Sequence, residues 1–388
     1  MFREVIVLTP IYVSLFWSVV FITNKFSVNK ARYWLGFFMM VVAVLYGCHA
    51  TFFLGCKALY LKLDSIYLLT GLSVYPIYYI YVRLLTCDLE LKRSYILHFI
   101  PALTLFVVLF VTGFFLSPDE EEYYYESVLV KNRWGAHETS LPFKLAATVF
   151  FLSRVVFGLQ TLLYLFFGYQ LAKKYNQRIA NFYSNMEGRE LVWVKLLTVS
   201  FLLTSIASFV VNILGRGLFF ENNLILAIPS ALFSTLFFVI GLQGNRQDFT
   251  IRSLDEDEGE DVFVAKNSVE LRKEKLKSAL LKLLETNKIY LDSELKITEL
   301  CRELNTNRTY LSNLINTEFQ QSFNDFINSY RVNYSISLLE SGMGDTSSLN
   351  DIALISGFGS VSSFNRAFKK NTGMTVGQYK MSILKKEK

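Results

Sequence analysis

Residues Leu349–Lys380 read LNDIALISGFGSVSSFNRAFKKNTGMTVGQYK, and this stretch decides how the C-terminal part of the chain folds. Leu349, Ile352 and Ala353 recur at three- and four-residue spacing, as one buried helical face requires. Phe364, Ala367 and Phe368 repeat that spacing after an interval containing Gly357-Phe358-Gly359. Glycines at a sharp helix-to-helix connection supply the positive φ that other residues resist. The second helix is left with Asn365, Arg366, Lys369 and Lys370 facing outward. Helix, tight turn and helix with a polar outer face form a helix-turn-helix pattern, whose second helix is suited to a DNA major groove.

The same pattern occurs upstream. Ile297, Leu300, Cys301 and Leu304 mark one helical face, Asn305-Thr306-Asn307 a turn, and Leu311, Leu314 and Ile315 the next buried face. Thr309, Ser312 and Asn313 then point outward. At an offset of 53 residues, Leu311 matches Phe364, Ser312 matches Asn365, Asn313 matches Arg366 and Ile315 matches Phe368. The units are an internal repeat. Ser322–Leu339 reads as a long helix between them, a strut that fixes their spacing. Two recognition helices about 34 Å apart meet successive major grooves on one face of DNA. Before the first unit, Ser268–Thr286 reads as an amphipathic helix packed on it.

Residues Tyr290–Val332 together with Ile352–Lys380 resemble the AraC-type DNA-binding domain, and the resemblance extends over about residues 270–384. The motif GF-x-S-x-S-x-F-x-R-x-FKK-x-TG-x-T carries it. The resemblance implies a bacterial transcription regulator, usually an activator that meets RNA polymerase, with a variable sensing or dimerising partner domain. It places base-reading positions on Thr309, Ser312 and Asn313 in the first unit, and on Val361, Ser362, Asn365 and Arg366 in the second, with Ser360 a further DNA-binding candidate. Arg366 is suited to guanine O6/N7, and Asn365 or Asn313 to adenine N6/N7. Arg308, Arg331, Lys369 and Lys370 are suited to phosphates, which set register and make affinity salt-dependent. Val361 stands where the family has a polar side chain, so a thymine methyl is its expected target. Val376 replaces the common proline that opens the last helix.

The rest of the chain is of another kind. Of its 388 residues 52% are hydrophobic and 19% charged, with 35 Phe, far from a soluble average. Seven apolar stretches succeed one another, at 5–22, 34–56, 65–85, 97–116, 145–171, 191–214 and 224–242. Each approaches or exceeds the ~20 helical residues that cross a bilayer core. The fold expected is therefore all-α: a seven-helix transmembrane bundle over 1–242, a polar and acidic linker over 243–267, and the two-unit domain over 268–388. The first stretch lacks the n-region and cleavage site of a signal peptide. With the N-terminus outside, the cytoplasmic loops hold eleven Lys and Arg against six on the other face, as the positive-inside rule requires. This topology puts the domain in the cytoplasm, with the protein multi-pass in the inner membrane.

Few polar groups lie in the apolar stretches, and none is acidic. Arg154 is expected to snorkel toward an interface or to meet an anionic signal. Tyr78, Tyr81 and Asn212 are further candidates for contact with a signal. The outer loop Ser117–Phe143 contains the acidic, tyrosine-rich run at 119–126 and is expected to be solvated. His137 there has no second histidine at metalloprotease spacing. Cys48, Cys56, Cys87 and Cys301 lack metal-site spacing, so neither a metal nor any other cofactor is expected. No proton relay, paired intramembrane aspartates or phosphate-cradling loop is present, which argues against an enzyme. The competing reading is a transporter or receptor whose cytoplasmic helices regulate it without touching DNA. Expected partners are double-stranded DNA, the lipid bilayer, a second copy of the chain, and an unidentified signal. The acidic run at 255–261 is expected to be a flexible spacer.

Overall fold

The structure is a computed structural model that describes residues 2–23, 30–87, 89–134, 140–191, 193–195, 198–199, 201–203, 205–206, 216–217, 219, 222–247, 250–259, 270–341 and 347–386. Among these residues the architecture is all-α, with one isolated antiparallel bridge between Tyr183 and Lys296. The chain forms two compact units. The first comprises Met1–Ala172 and Leu191–Ile251, the second Lys173–Glu190 and Arg252–Lys388.

In the first unit, α1 (Phe2–Ile22) packs on α2 (Lys30–Phe53) and α6 (Asn223–Arg246), α2 on α3 (Lys57–Thr86), and α3 on α4 (Ile100–Gly113). Helix α5 runs from Leu141 to Ala180, its last turns belonging to the second unit. Among the described residues six helical stretches are long and apolar enough to cross a membrane: α1, α2, α3, Arg93–Gly113 (which contains α4), α5, and the one starting with α6. The expected sixth stretch, 191–214, lies largely outside the described residues, and so does Asn212. Close helix contact depends on small residues. A Cβ on Gly241 would lie 2.2 Å from the Trp17 ring, and one on Gly244 2.2 Å from Leu35.

Two expectations for this unit are corrected. Helix α3 begins at Lys57, well before the apolar run at 65–85, and so encloses Asp64, a buried acid inside a helix of membrane-crossing length. Its carboxylate accepts from the Tyr60 hydroxyl at 2.9 Å and the Tyr124 hydroxyl at 3.0 Å, while Arg216 donates to Tyr60 at 2.9 Å. Two hydroxyl donors satisfy a buried acid that hydropathy alone would exclude. The loop at 117–143, expected on the outer face, is in turn built rather than merely solvated. Ser117 caps a short helix at Pro118–Tyr123, which continues as π-helix over Tyr124–Val130, and Tyr124, Tyr125, Val128 and Leu129 are buried in the core. His137 lies outside the described residues.

The second unit contains α7 (Ile251–Gly259), α8 (Glu270–Asn287), α9 (Ile297–Glu303), α10 (Arg308–Glu318), α11 (Phe323–Glu340), α12 (Leu349–Ile355), α13 (Val361–Thr372) and α14 (Val376–Lys386). The acidic run was expected to be a flexible spacer; instead its first five residues finish α7. That helix buries Ile251 and Leu254 and pairs Asp255 with Arg178 at 2.6 Å. Caps set the other starts. Asn307, Ser322, Ser348 and Ser360 accept from the backbone amides of Tyr310, Asp325, Asp351 and Ser363, each satisfying a helical N–H that lacks a partner within the helix.

Strut α11 packs on α10, α12 and α13, so both helix-turn-helix units share it. Around its second half, Val332 and Leu339 meet Ile352, Ala353, Phe358, Phe364, Phe368 and Val376 in one core. Val376 thus contributes packing where proline would contribute rigidity. Leu349, expected on the buried face, is 41% exposed at the first position of α12. Gly357 makes the turn at φ 83°, where a Cβ would come within 2.7 Å of the Leu291 backbone, so the position requires glycine for conformation and for space.

Candidate nucleic-acid interface

Helix α13 buries Phe364, Ala367 and Phe368 and leaves Ser362, Asn365, Arg366, Lys369 and Lys370 exposed. The outward set expected from the spacing is therefore the exposed set. Val361 is half-buried against the core of the second helix-turn-helix, and the Ser360 hydroxyl is engaged in the cap. Both sit closer to structural duty than to base contact. Helix α10 exposes Thr309 and Asn313 and leaves Ser312 half-buried, its hydroxyl accepting from Asn316 at 3.3 Å. Lys370 pairs with Asp325 at the start of α11, at 2.6 Å.

Arg331 is the clear departure. Expected on phosphates, it is 1% exposed. Its Nε donates to the Tyr290 carbonyl at 2.6 Å and its Nη2 to the Asp292 carbonyl at 2.6 Å and to Ser184 Oγ at 2.9 Å. Nη1 donates to the Ser184 carbonyl at 3.2 Å and to Asn328 at 3.1 Å. Burial pushes its guanidinium pKa down to about 10, which leaves it charged at neutral pH. Arg331 ties together the strut, the turn before α9 and the 181–190 segment. No phosphate reaches it in this arrangement.

That segment was missed by sequence reasoning. Phe182, Tyr183 and Ser184 are buried in the second unit. The Ser184 amide donates to the Leu295 carbonyl at 3.1 Å, and the Ile297 amide to the Phe182 carbonyl at 3.0 Å. Arg308 lies with its guanidinium 5.7 Å from the Phe182 ring. Asn185 and Arg189 both bond Glu294, at 3.1 and 2.7 Å, and the bond from Arg189 holds the Glu294 carboxyl below its ordinary pKa. Glu190 pairs with Arg366 at 2.9 Å. Nothing in the apolar periodicity of 145–171 signals that the chain beyond it docks here.

The proposed sensing residues fall in the first unit. The Tyr78 hydroxyl bonds Thr198 at 3.1 Å. Tyr78 and Tyr81 line an apolar cavity of about 10 Å³ with Leu35, Phe38, Phe201 and Ile240, room for no more than one water. Arg154 bonds the Asn132 side chain and stacks 4.1 Å above the Phe150 ring, so its charge is met by an amide and a π face. Among the described residues no group of His, Cys, Asp and Glu is arranged to hold a metal.

Residues 300–382 match the helix-turn-helix domain family. The TCP pilus virulence regulatory protein of Vibrio cholerae serotype O1 is 37% identical over 81 residues, which are 21% of this chain and 28% of that protein, and the same match recurs in a second strain. The uncharacterized HTH-type transcriptional regulator YtdP of Bacillus subtilis is 36% identical over 90 residues, 23% of this chain and 11% of that one. The chain thus spans less than a third of the length of these relatives. No solved structure matches the chain.

Proposed function

We infer that this chain, whose residues 300–382 are a helix-turn-helix domain of the AraC type, is a DNA-binding transcription regulator carried on a membrane-spanning domain. The observation that carries the reading is the repeated unit: two capped helices, α10 and α13, fixed to one strut and each presenting a polar outer face. In α13, Arg366 reads a guanine and Asn365 an adenine, while Lys369 and Lys370 hold phosphates. In α10, Thr309 and Asn313 serve the first half of the site. One such domain covers a short site, so a second copy of the chain extends it. As an activator it would engage RNA polymerase.

The membrane assignment is supported by the six long apolar helices and by their large exposed apolar side chains, among them Phe16, Phe110, Leu162, Phe166 and Ile228. Such faces are stable against lipid and not against water. The excess of Lys and Arg in alternate loops supports an N-terminus outside and the reader on the cytoplasmic side of the inner membrane. A signal at the outer face or within the bilayer acts through its differential affinity for two states of this bundle. Arg154, Tyr78, Tyr81 and Asn212 are the residues proposed to register it.

Replacing Arg366 by Ala tests the reading. Loss of about 1–3 kcal/mol confined to one base position supports base contact; an equal loss on random DNA would reduce Arg366 to a phosphate ligand. A periplasm-active reporter fused within Ser117–Phe143 should be active, and an inactive one would overturn the orientation.

A further inference from the structure

We propose that residues 181–190 are a latch, a stretch of chain leaving α5 that docks into the DNA-binding unit and keeps Arg366 paired with Glu190 instead of with a base. This rests on the DNA-reading role given above to Arg366.

The latch has an anchor and a gate. The anchor is Phe182-Tyr183-Ser184, each residue 1% exposed. Its main chain exchanges two hydrogen bonds with Leu295 and Ile297, and its Ser184 carbonyl accepts from Asn324 at 2.6 Å and from Arg331. These partners lie on the turn before α9, on α9 and on α11, so the anchor is held by the first helix-turn-helix and the strut. A polypeptide this deeply bonded is a component of the domain rather than a passing contact.

The gate lies further along. Asn185 Nδ2 sits 2.7 Å from where a Cβ on Gly359 would be, against the turn that precedes recognition helix α13. The clamp of Asn185 and Arg189 on Glu294 fixes the chain there. Glu190 then reaches Arg366 through one bond, Nη1 to Oε1, with the arginine side chain 67% exposed. A guanidinium that reads guanine needs two acceptors in its plane, and a carboxylate in that position competes directly. The pair is single-bonded and exposed, so it is weak and reversible. A strong anchor with a weak gate is what a switch requires: the segment stays bound while the gate opens and closes.

The covalent path gives the latch its input. Its N-terminal end follows without a break from α5, a helix whose earlier part is apolar enough to span a membrane. Its C-terminal end runs directly into Leu191 and the first unit. The latch is therefore joined to the proposed membrane domain directly at Leu191 and through the last turns of α5 at its other end, and this covalent path carries a change in that domain to Glu190 with no diffusible messenger.

The test uses the full-length chain in bilayer nanodiscs and duplexes enriched from a randomised pool by the wild type. Glu190→Gln keeps the side-chain shape and removes the ion pair. It should tighten specific binding by about two- to fivefold, the range an exposed pair can hold back. The double variant Asn185→Cys, Gly359→Cys should cross-link under oxidation and lose at least about tenfold in DNA affinity, reversed by reductant, with the wild type indifferent to reductant. Retention unchanged by Glu190→Gln, or a cross-linked protein that binds DNA as well as the reduced one, overturns the latch alone. If no variant and no wild-type protein retains any duplex, the DNA-reading role fails and the latch falls with it.

Discussion

Replacing Arg331 by Met separates the two roles that sequence and structure give this residue. Methionine nearly fills the volume and removes the charge. The Tyr290 carbonyl then loses its donor, and the Asp292 and Ser184 carbonyls each lose one of two, keeping the Leu295 amide and the Asn324 side chain. A buried acceptor left unpaired costs about 1–3 kcal/mol, and breaking a buried charged network costs about 3–5 kcal/mol. The lower end of the second range is the better figure here, because the turn at 289–292 can relax toward water. At about 1.4 kcal/mol per tenfold, 3 kcal/mol is roughly a hundredfold in the opening equilibrium of this part of the domain. Hydrogen exchange on the full-length chain reads it directly: the amides of Ser184 and Ile297, which bond Leu295 and Phe182, should exchange about a hundred times faster. Arg331→Lys, which keeps the charge but reaches fewer carbonyls, should fall between. Unchanged exchange at these amides, together with weaker DNA binding and a salt slope reduced by about one, would refute the structural role and restore Arg331 as a phosphate ligand.

Three further outcomes are expected. Gly357→Ala places a Cβ at φ 83° and within 2.7 Å of the Leu291 backbone; the conformational cost alone is about 1–2 kcal/mol and the clash adds to it, so the second helix-turn-helix should lose protection first in hydrogen exchange. Glu318 holds α8 to α10 through Lys273 and Lys277 at 2.7 and 2.9 Å, and the bond from Lys273, then that from Lys277, holds its pKa at about 2 against an ordinary 4.5. Because the folded value is depressed, the stabilisation is complete above about pH 4.5 and is lost as pH falls toward 2; Glu318→Gln should flatten that limb of the acid unfolding curve. Gly241→Leu forces a side chain into the Trp17 ring and should lower the thermal stability of the detergent-solubilised chain by the about 1–3 kcal/mol typical of overpacking.

The parts legible in the sequence are those governed by local pattern. Spacing of Phe364, Ala367 and Phe368 fixed which face of α13 is buried, and the repeat at Leu311, Leu314 and Ile315 did the same for α10. Hydropathy found the apolar helices because each carries a long uniform signal. What escaped was non-local or compensated. Asp64 read as lying outside a span because its satisfaction comes from Tyr60 and Tyr124, the second of them sixty residues away. Arg331 looked like one more cation on a basic domain, since its acceptors are backbone carbonyls that no side-chain pattern announces. The 181–190 segment, NFYSNMEGRE, reads as an ordinary polar loop; its role comes from partners near 295, 331 and 366. The acidic run at 255–261 reads as a spacer, yet Ile251 and Leu254 ahead of it give α7 a buried face.

The central claim, that the repeated helix-turn-helix reads DNA, is tested most directly by selecting duplexes from a randomised pool with the full-length chain in nanodiscs and measuring affinity across salt. Enrichment of one motif with two elements about one helical turn apart is expected, with an affinity that falls log-linearly as salt rises. Recovery of an unenriched pool, with retention equal for all sequences, would contradict it.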